Sequence, residues 1–339
     1  MNKLYVYQGS NEIVTQHYFG IITRAISEDF SDIKIVKCFS DVKLLNRKNY
    51  FIVGEAIHLF ILYLLGFRNF IFWAQGAVSE ESYMRHHSKF RFRILGFLEH
   101  FALRQAMMCF CVSNYQINFY ERKYKIKISL KTIVMPCFNT MLQHNTFVIN
   151  DKYKKNIFCY IGSLAAWQCF QETVELYSKI EQKLNYNCFF KVFTQQKDEA
   201  ISIIEKYKIK NYCVDFVEPN LLSEAIADCK YGFLLRKDNS VNNVATPTKL
   251  SSYLANGIIP IFSDSIKDFV VLSESYNCML KLSDITDWES VIKHASVTIK
   301  SVDMLNSCKA LFKDYYNEDV YIEKIKSMYY RIKYGIIYK

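Results

Sequence analysis

The sequence predicts an α/β protein with two domains, each built on a mainly parallel sheet covered by helices. The 339 residues are too many for one ordinary core. Short apolar runs of strand length alternate with helix-length segments through most of the chain. A polar, unpatterned stretch at 138–154, which we interpret as a linker, divides this alternation into two series.

The first series occupies the N-terminal part of the chain. Its strand-like runs are at 3–7, 33–38, 50–53, 70–73, 109–112 and 132–135. Helical spacing fills segments between them, at 14–26, 57–65, 92–108 and 114–124. Because helices join successive strands, we expect a mainly parallel sheet.

The second series repeats this architecture. Its strands are predicted at 157–161, 189–193, 213–216, 231–235 and 258–262. Its helices are predicted at 168–184, 199–206, 221–228, 249–255, 288–299, 304–315 and 320–334. The predicted domains are therefore 1–145 and 146–315, with a helix at 316–339 packing back on the first. Open sheets bind ligands at the carboxyl ends of their strands, so we expect two facing Rossmann-like domains with a site in the cleft between them.

Charge is distributed unevenly between the two halves. Residues 1–150 hold 18 basic and 10 acidic residues, and the remainder holds 25 and 23. The N-terminal half is therefore expected to meet an anionic partner such as a membrane surface, a lipid phosphate or nucleic acid. The eleven cysteines form no C-x-x-C pair, which favours reduced thiols in a cytoplasmic protein over disulfides or a metal site. No signal peptide is apparent, and the longest apolar run, 56–67, is shorter than the roughly 20 residues that span a bilayer.

The segment 231–263 carries the clearest set of anion-binding residues. An apolar strand ends at Arg236, an Asn-rich loop follows, and Thr246-Pro247 leads into a helix with Lys249 in its first turn. Thr246 is predicted to cap this helix. Two cations, free N–H groups and a helix N-terminus suit a phosphate or diphosphate. A solvent-exposed loop with two surface cations is the alternative interpretation.

The residue order of this segment resembles the donor-binding segment of bacterial GT-B glycosyltransferases. The resemblance is to the family-4-like enzymes of capsule, exopolysaccharide and O-antigen biosynthesis, which carry a run close to P-x-K-x-x-E-Y-L-A-x-G. This chain matches that run with Pro247, Lys249, Tyr253, Leu254, Ala255 and Gly257. The resemblance implies that Arg236 and Lys249 hold the diphosphate of a nucleotide-sugar donor.

One position departs from the family pattern. Ser252 stands where the family has a glutamate that holds the ribose or the sugar of the donor. A serine cannot offer a charged bidentate acceptor. A different donor, a substitute carboxylate such as Glu218 or Asp238, or lost activity would each account for this change.

Two further segments are similar to the family. The run Y-I-G-S at 160–163, followed by Trp167-Gln168, resembles the family turn beside the donor phosphates, where a glycine permits close backbone approach. Together with the loop asparagines, the candidate donor-binding residues are Gly162, Ser163, Glu218, Asn242, Asn243, Thr246 and Ser252.

The segment 72–82 is similar to the part of the family that reaches the acceptor. Gln75 stands where many relatives have a histidine, and it can orient a hydroxyl but cannot act as a base. A retaining transfer does not need that base, because the leaving phosphate can take the acceptor proton. Glu80 and Glu81 also fit the acidic start of a helix. The candidate catalytic residues are Arg236, Lys249 and Gln75, and the acceptor-side candidates are Gly9, Ser10, Gly76 and Glu81.

A basic and aromatic stretch at 84–104 favours a surface role. Its cations Arg85, Lys89, Arg91 and Arg93 interleave with apolar side chains, which suits an anionic lipid headgroup layer. A helix with a solvated basic face is the alternative. No nucleic-acid partner is expected, because no recognisable module is present.

The sequence therefore predicts a cytoplasmic hexosyltransferase, peripheral at the inner face of the plasma membrane if the basic stretch docks there. Its donor would be a nucleotide-diphosphate sugar, with UDP assumed, and its acceptor a glycan or a polyprenyl-diphosphate-linked saccharide. The resemblance implies retention of configuration, and no metal or other cofactor is expected. The main alternative is a non-catalytic nucleotide-sugar-binding scaffold of the same fold, favoured by Ser252. A dehydrogenase or epimerase is disfavoured because no G-x-G-x-x-G follows the first strand.

Overall fold

A computed structural model describes residues 2–8, 13–42 and 45–336. The chain forms two compact units, one from Met1–Pro136 with Asn317–Lys339 and the other from Cys137–Tyr316. Each unit contains a sheet of six parallel strands connected by helices. The predicted α/β class with two Rossmann-like units is therefore confirmed.

The first unit has the strand order β2-β1-β3-β4-β5-β6. Its strands are β1 (Leu4–Tyr7), β2 (Ile33–Val36), β3 (Tyr50–Val53), β4 (Asn69–Ala74), β5 (Met108–Cys111) and β6 (Thr132–Val134). Its helices from this part of the chain are α1 (Ile13–Ile26), α2 (Ala56–Leu64), α3 (Val78–His86), α4 (Lys89–Gln105) and α5 (Asn114–Tyr124). Most strand residues are buried, as expected for a parallel sheet covered by its crossover helices.

The second unit has the strand order β12-β11-β10-β7-β8-β9. Its strands are β7 (Ile157–Ile161), β8 (Phe189–Phe193), β9 (Tyr212–Asp215), β10 (Tyr231–Leu234), β11 (Ile259–Ser263) and β12 (Leu280–Leu282). Its helices are α6 (Phe170–Lys183), α7 (Lys197–Lys206), α8 (Leu222–Ala225), α9 (Ser240–Val244), α10 (Thr248–Ala255), α11 (Lys267–Ser275), α12 (Trp288–Ala295) and α13 (Ser301–Asp314). This is the strand order of a dinucleotide-binding Rossmann sheet, and it reverses between β7 and β10.

The chain returns to the first unit through α14 (Glu318–Lys333), which packs against α1. Tyr329 is buried, with its ring centroid 6.1 Å from that of Phe30, and Lys333 forms an ion pair with Asp29 at 2.8 Å. Apolar burial and charge pairing thus hold the C-terminal helix to the N-terminal sheet unit.

The segment 138–154, which we interpreted as a linker, packs within the second unit. Phe147 and Tyr153 are buried. The buried Lys152 amine donates to the carbonyls of Ala227 at 2.7 Å and Asn256 at 2.5 Å. The polar sequence concealed this packing because its few apolar side chains are not periodic.

Candidate functional site

Three predicted site residues meet at the carboxyl end of the second sheet, where its strand order reverses. Gly162 directly follows β7, Arg236 lies just after β10, and Lys249 is in the first turn of α10. Crossovers on the two sides of such a reversal run to opposite faces of the sheet, which leaves a crevice between the strand ends. The fold therefore places these residues where open α/β sheets bind their ligands.

Gly162 makes room for the Lys249 amine. Its φ is +120°, and a Cβ at this position would lie 2.5 Å from Lys249 Nζ. The amine also lies 4.8 Å from the centroid of the Tyr160 ring, a cation–π distance. Any side chain at position 162 would displace the amine from this place.

One side-chain oxygen joins the two cations. Gln168 Oε1 accepts hydrogen bonds from Arg236 Nη2 and from Lys249 Nζ, both at 2.6 Å. Arg236 also donates through Nη1 to the Leu235 carbonyl at 3.1 Å. Its backbone N–H donates to Ser263 Oγ at 2.7 Å, which ties the end of β10 to β11. The guanidinium and the amine are therefore aimed at a common point.

Positive charge at this point has no carboxylate partner in the described part of the chain. Arg236 is 4% exposed and Lys249 is half-buried. Burial lowers the pKa of Arg236. Burial, and after it the charge of Arg236, lower the pKa of Lys249 well below its ordinary value. Both cations would be stabilised by an anion placed between them.

A cavity of about 360 Å³ opens beside Lys249, and Arg236 is not among its lining residues. Its polar lining consists of Lys249, Gly162, Ser163, Thr248, Ser252, Asn139, Thr194, Gln195 and Gln196. Its apolar lining consists of Ile161, Phe193, Phe216, Val217, Pro219 and Leu222. Because β8 and β9 lie on the far side of β7 from β10, the wall formed by Phe193 and Phe216 lies on the side of the cavity away from β10. No carboxylate is among these lining residues.

Ser252 and Glu218 have different places relative to this cavity. Ser252 lines it, with Oγ 3.3 Å from Thr140 Oγ1 and 3.4 Å from Asn139 Oδ1. Glu218 is exposed and does not line the cavity, although the residues on either side of it do. In this structure, Glu218 does not take the place of the glutamate that Ser252 replaces.

The predicted cap at Thr246 is wrong. A residue before proline favours extended backbone, and Pro247 itself is extended, with φ −62° and ψ 129°. The helix α10 therefore begins at Thr248 without a side-chain cap. The buried Thr246 hydroxyl instead accepts from the Cys137 N–H at 3.0 Å.

The predicted Asn-rich loop contains the short helix α9. Asn239 caps α9 by accepting from the Asn242 N–H at 3.0 Å, and the Asn242 side chain donates to the Lys237 carbonyl at 2.9 Å. Asn243 Oδ1 is buried and has no hydrogen-bond partner among the described residues. The structure does not place Asn242 or Asn243 in the cavity lining.

Two acceptor-side residues lie at the carboxyl end of the first sheet. Gln75 and Gly76 follow β4 and line a separate cavity of about 280 Å³. Gln75 Nε2 donates to Thr15 Oγ1 at 2.9 Å. Glu81 lies on α3, pairs with Arg85 one turn later and is outside this lining. Gly9 and Ser10 lie outside the described residues.

A buried carboxylate fixes the wall of this second cavity. Glu99 is 3% exposed and lines the cavity. It accepts hydrogen bonds from the Val78 N–H at 2.8 Å and the Tyr124 hydroxyl at 2.6 Å, and it pairs with Lys123 at 3.2 Å. The start of α3, next to Gln75 and Gly76, is thereby held against α4.

The predicted membrane cations surround an apolar stripe on α4. Phe90, Ile94 and Phe97, which we call the α4 stripe, are 74%, 43% and 57% exposed. At 100° per residue these side chains share one face of the helix, with Arg91 on one side and Lys89 and Arg93 on the other. All three of these cations are exposed, whereas Arg85 pairs with Glu81. Among the described helices, none combines the length and apolar character needed to cross a bilayer.

Sequence reasoning missed three contributors to the donor-side site. Tyr160 and Gln168 belong to the turn that resembles the family turn beside the donor phosphates, but the residue pattern assigned neither a role of its own, and Phe216 was only the end of a predicted strand. Only the fold shows that Gln168 approaches Arg236 and Lys249, which are 68 and 81 residues away in sequence. No group of three or more His, Cys, Asp or Glu side chains suited to a metal ion occurs in residues 2–8, 13–42 and 45–336.

Comparisons with known proteins define the fold. No family model matches the chain, and no curated protein sequence gives a significant match. A sucrose-phosphate synthase from Thermosynechococcus elongatus aligns with a TM-score of 0.71 and 10% identity, over 99% of this chain and 100% of that one. A glycosyltransferase from Rickettsia africae aligns with a TM-score of 0.68 and 10% identity, over 98% of both chains. A trehalose-6-phosphate structure from E. coli bound with UDP-2-fluoro glucose aligns with a TM-score of 0.63 and 9% identity, over 96% of this chain and 99% of that one. The two Rossmann-like units thus have the GT-B fold.

Proposed function

We propose that this protein is a glycosyltransferase with a nucleoside-diphosphate sugar as its donor. The observation that carries the proposal is the convergence of Arg236 and Lys249, without a carboxylate, at the reversal point of a Rossmann sheet. The cavity beside Lys249 has an apolar wall that includes Phe193 and Phe216, on the side of β7 away from β10. A nucleoside diphosphate likewise has a charged diphosphate at one end and, at the other, a flat base whose faces can pack on apolar and aromatic side chains.

The proposed chemistry uses the two cations as electrostatic stabilisers. The bond between the sugar C1 and the diphosphate oxygen breaks, and negative charge develops on that oxygen. Arg236 and Lys249 are already oriented, so they stabilise this charge without reorganising. The acceptor hydroxyl oxygen bonds to C1, and its proton passes to the leaving diphosphate.

The finer features of this proposal come from the sequence resemblance. We propose transfer of a hexose with retention, without a metal ion, to a glycan or polyprenyl-diphosphate-linked acceptor in surface polysaccharide biosynthesis. Gln75 is the proposed acceptor-side residue, since its Oε1 has no hydrogen-bond partner among the described residues and can accept from a sugar hydroxyl. UDP is the proposed nucleotide, which the bound ligand of the E. coli neighbour supports.

The α4 stripe supports docking to an anionic membrane from the cytoplasmic side. Phe90 and Phe97 offer apolar area to the headgroup boundary, and Lys89, Arg91 and Arg93 offer charge beside it. Such docking would bring the enzyme to a lipid-linked acceptor.

A non-catalytic nucleotide-sugar-binding scaffold is the second candidate. The cavity lining contains no carboxylate, and Ser252 stands where the resembled family has a glutamate. Slow hydrolysis of the donor in the absence of acceptor separates the two functions, because a scaffold shows none.

A thermal-shift screen with UDP, GDP, CMP, dTDP and ADP tests the binding half of the proposal. We expect one nucleoside diphosphate, UDP first, to stabilise the chain by about 2.7 kcal/mol at a concentration of 100 Kd. Lys249→Met keeps most of the apolar stem and should lose that shift. Stabilisation by none of these nucleotides, or an equal shift in the variant, would refute the assignment.

A further inference from the structure

Gln168 Oε1 occupies the point at which the two cations converge. It lies 2.6 Å from both Arg236 Nη2 and Lys249 Nζ, a distance that a phosphate oxygen would also adopt between these donors. An amide oxygen has two lone pairs, and the two cations use both. The side chain lies in the turn between β7 and α6, at the same reversal point as Gly162.

The charge pattern around α6 is selective. Glu172, in the first turn of α6, forms an ion pair with Lys237, whose side chain is 60% exposed. Gln168 meets the buried Arg236 instead. Glu172 therefore neutralises the exposed Lys237, whereas the neutral amide of Gln168 bonds to the buried Arg236. The positive charge of Arg236 and Lys249 is left uncompensated.

We propose that Gln168 is a positioning residue that holds Arg236 and Lys249 together before a ligand binds and gives up its place to a diphosphate oxygen. The hydrogen bonds to Gln168 and to a diphosphate both have cationic donors, but an amide oxygen carries only a partial charge, whereas a diphosphate oxygen carries a full negative charge and adds Coulomb attraction to both cations. The diphosphate therefore displaces Gln168 Oε1 from both donors. A glutamate at this position would form two ion pairs and compete with the ligand. The proposal for Gln168 rests on the proposed function in one respect, the assignment of the diphosphate to a nucleoside-diphosphate sugar.

Two substitutions of similar size separate this role from a structural one. Gln168→Glu should weaken binding of inorganic pyrophosphate and of UDP at least tenfold by calorimetry, while the melting temperature of the ligand-free protein stays the same or rises. Gln168→Met removes the acceptor oxygen without adding charge. It should lower that melting temperature but bind both ligands within about threefold of the wild-type chain. Gln171→Glu is the matched control, because Gln171 is exposed on α6 and, among the described residues, its side chain bonds to the Tyr207 hydroxyl and to neither cation.

The expected result is a large loss of affinity without a loss of stability in Gln168→Glu, and a loss of stability without a large loss of affinity in Gln168→Met. Wild-type affinity in Gln168→Glu, an equal loss in Gln168→Met, or no binding of pyrophosphate by the wild-type chain would each overturn the role proposed for Gln168. If pyrophosphate shows the expected pattern but no nucleotide binds, Gln168 keeps its role and the proposed glycosyltransferase function fails.

Discussion

At the scale of single residues, Lys249 depends on a glycine that is distant in sequence. The Lys249 amine occupies the space that a side chain at position 162 would fill, above the ring of Tyr160. A turn-forming glycine and a helix-opening lysine look unrelated in the sequence. The structure makes them parts of one arrangement, in which Gly162 determines where the charge of Lys249 lies.

Gly162→Ala should therefore impair nucleotide binding. Its Cβ would lie 2.5 Å from Lys249 Nζ at a φ of +120°, so the amine must move and the backbone is strained by about 1–3 kcal/mol. We expect at least a tenfold weaker affinity for UDP and a lower melting temperature. Gly20→Ala is the control, because a Cβ there meets no atom within 4 Å; it should stabilise α1 by about 0.5–1 kcal/mol without changing UDP affinity. Unchanged affinity in Gly162→Ala would contradict this arrangement.

The affinity for UDP should fall as the pH rises above the lowered pKa of Lys249. Burial and the neighbouring Arg236 lower this pKa in the free protein, and a bound diphosphate favours the charged amine. Binding therefore takes up a proton between the two pKa values. Calorimetry at a series of pH values above 7, in buffers of different ionisation enthalpy, measures this uptake, since the phosphate, with a second pKa of about 6, is already ionised there. Lys249→Arg stays charged and should show no uptake; equal uptake by both proteins would assign the proton to another group.

At the scale of elements, the sequence predicted long helices and central strands better than short pieces. The strand β7 was predicted with the bounds it has, because five apolar residues lie between the polar Asn156 and the turn-forming Gly162. The helix α9 was missed because Asn-rich sequences are typical of loops, where the Asn239 cap, the Asn242 side chain and the buried Val244 stabilise a helix of five residues. Arg236 and Lys249 could be found from their positions in the chain, whereas Gln168 could not, since its partners are set by strand order.

The α4 stripe should determine binding to anionic vesicles. Phe90→Ser with Phe97→Ser removes exposed apolar area, and Arg91→Gln with Arg93→Gln removes about 2 kcal/mol of attraction to an anionic surface. Each pair should reduce flotation with anionic liposomes at low salt, and neutral liposomes should bind less than anionic ones in every case. Leu130→Ser, at an equally exposed position elsewhere in the first unit, should have no effect. Unaltered flotation of both double variants would exclude the stripe as a docking surface.

At the scale of the whole molecule, two alternations of strand and helix were sufficient to predict two parallel sheets. The helix α14 belongs to the first unit because it buries one apolar face there, which includes Tyr321, Ile325 and Tyr329. The second sheet has its reversal point between β7 and β10, and that topology brings Gly162, Arg236 and Lys249 together. The carboxylate of the resembled family has no counterpart in the cavity lining, so catalysis must be tested directly.

Release of UDP from UDP-sugars without acceptor tests the central claim most directly. We expect the wild-type chain to hydrolyse at least one donor slowly. Lys249→Met should reduce that rate by about 10²–10³-fold, the usual effect of removing one electrostatic stabiliser of the leaving group, while circular dichroism and melting show an intact fold. Binding of UDP without hydrolysis of any donor, or an undiminished rate in Lys249→Met, would contradict the account.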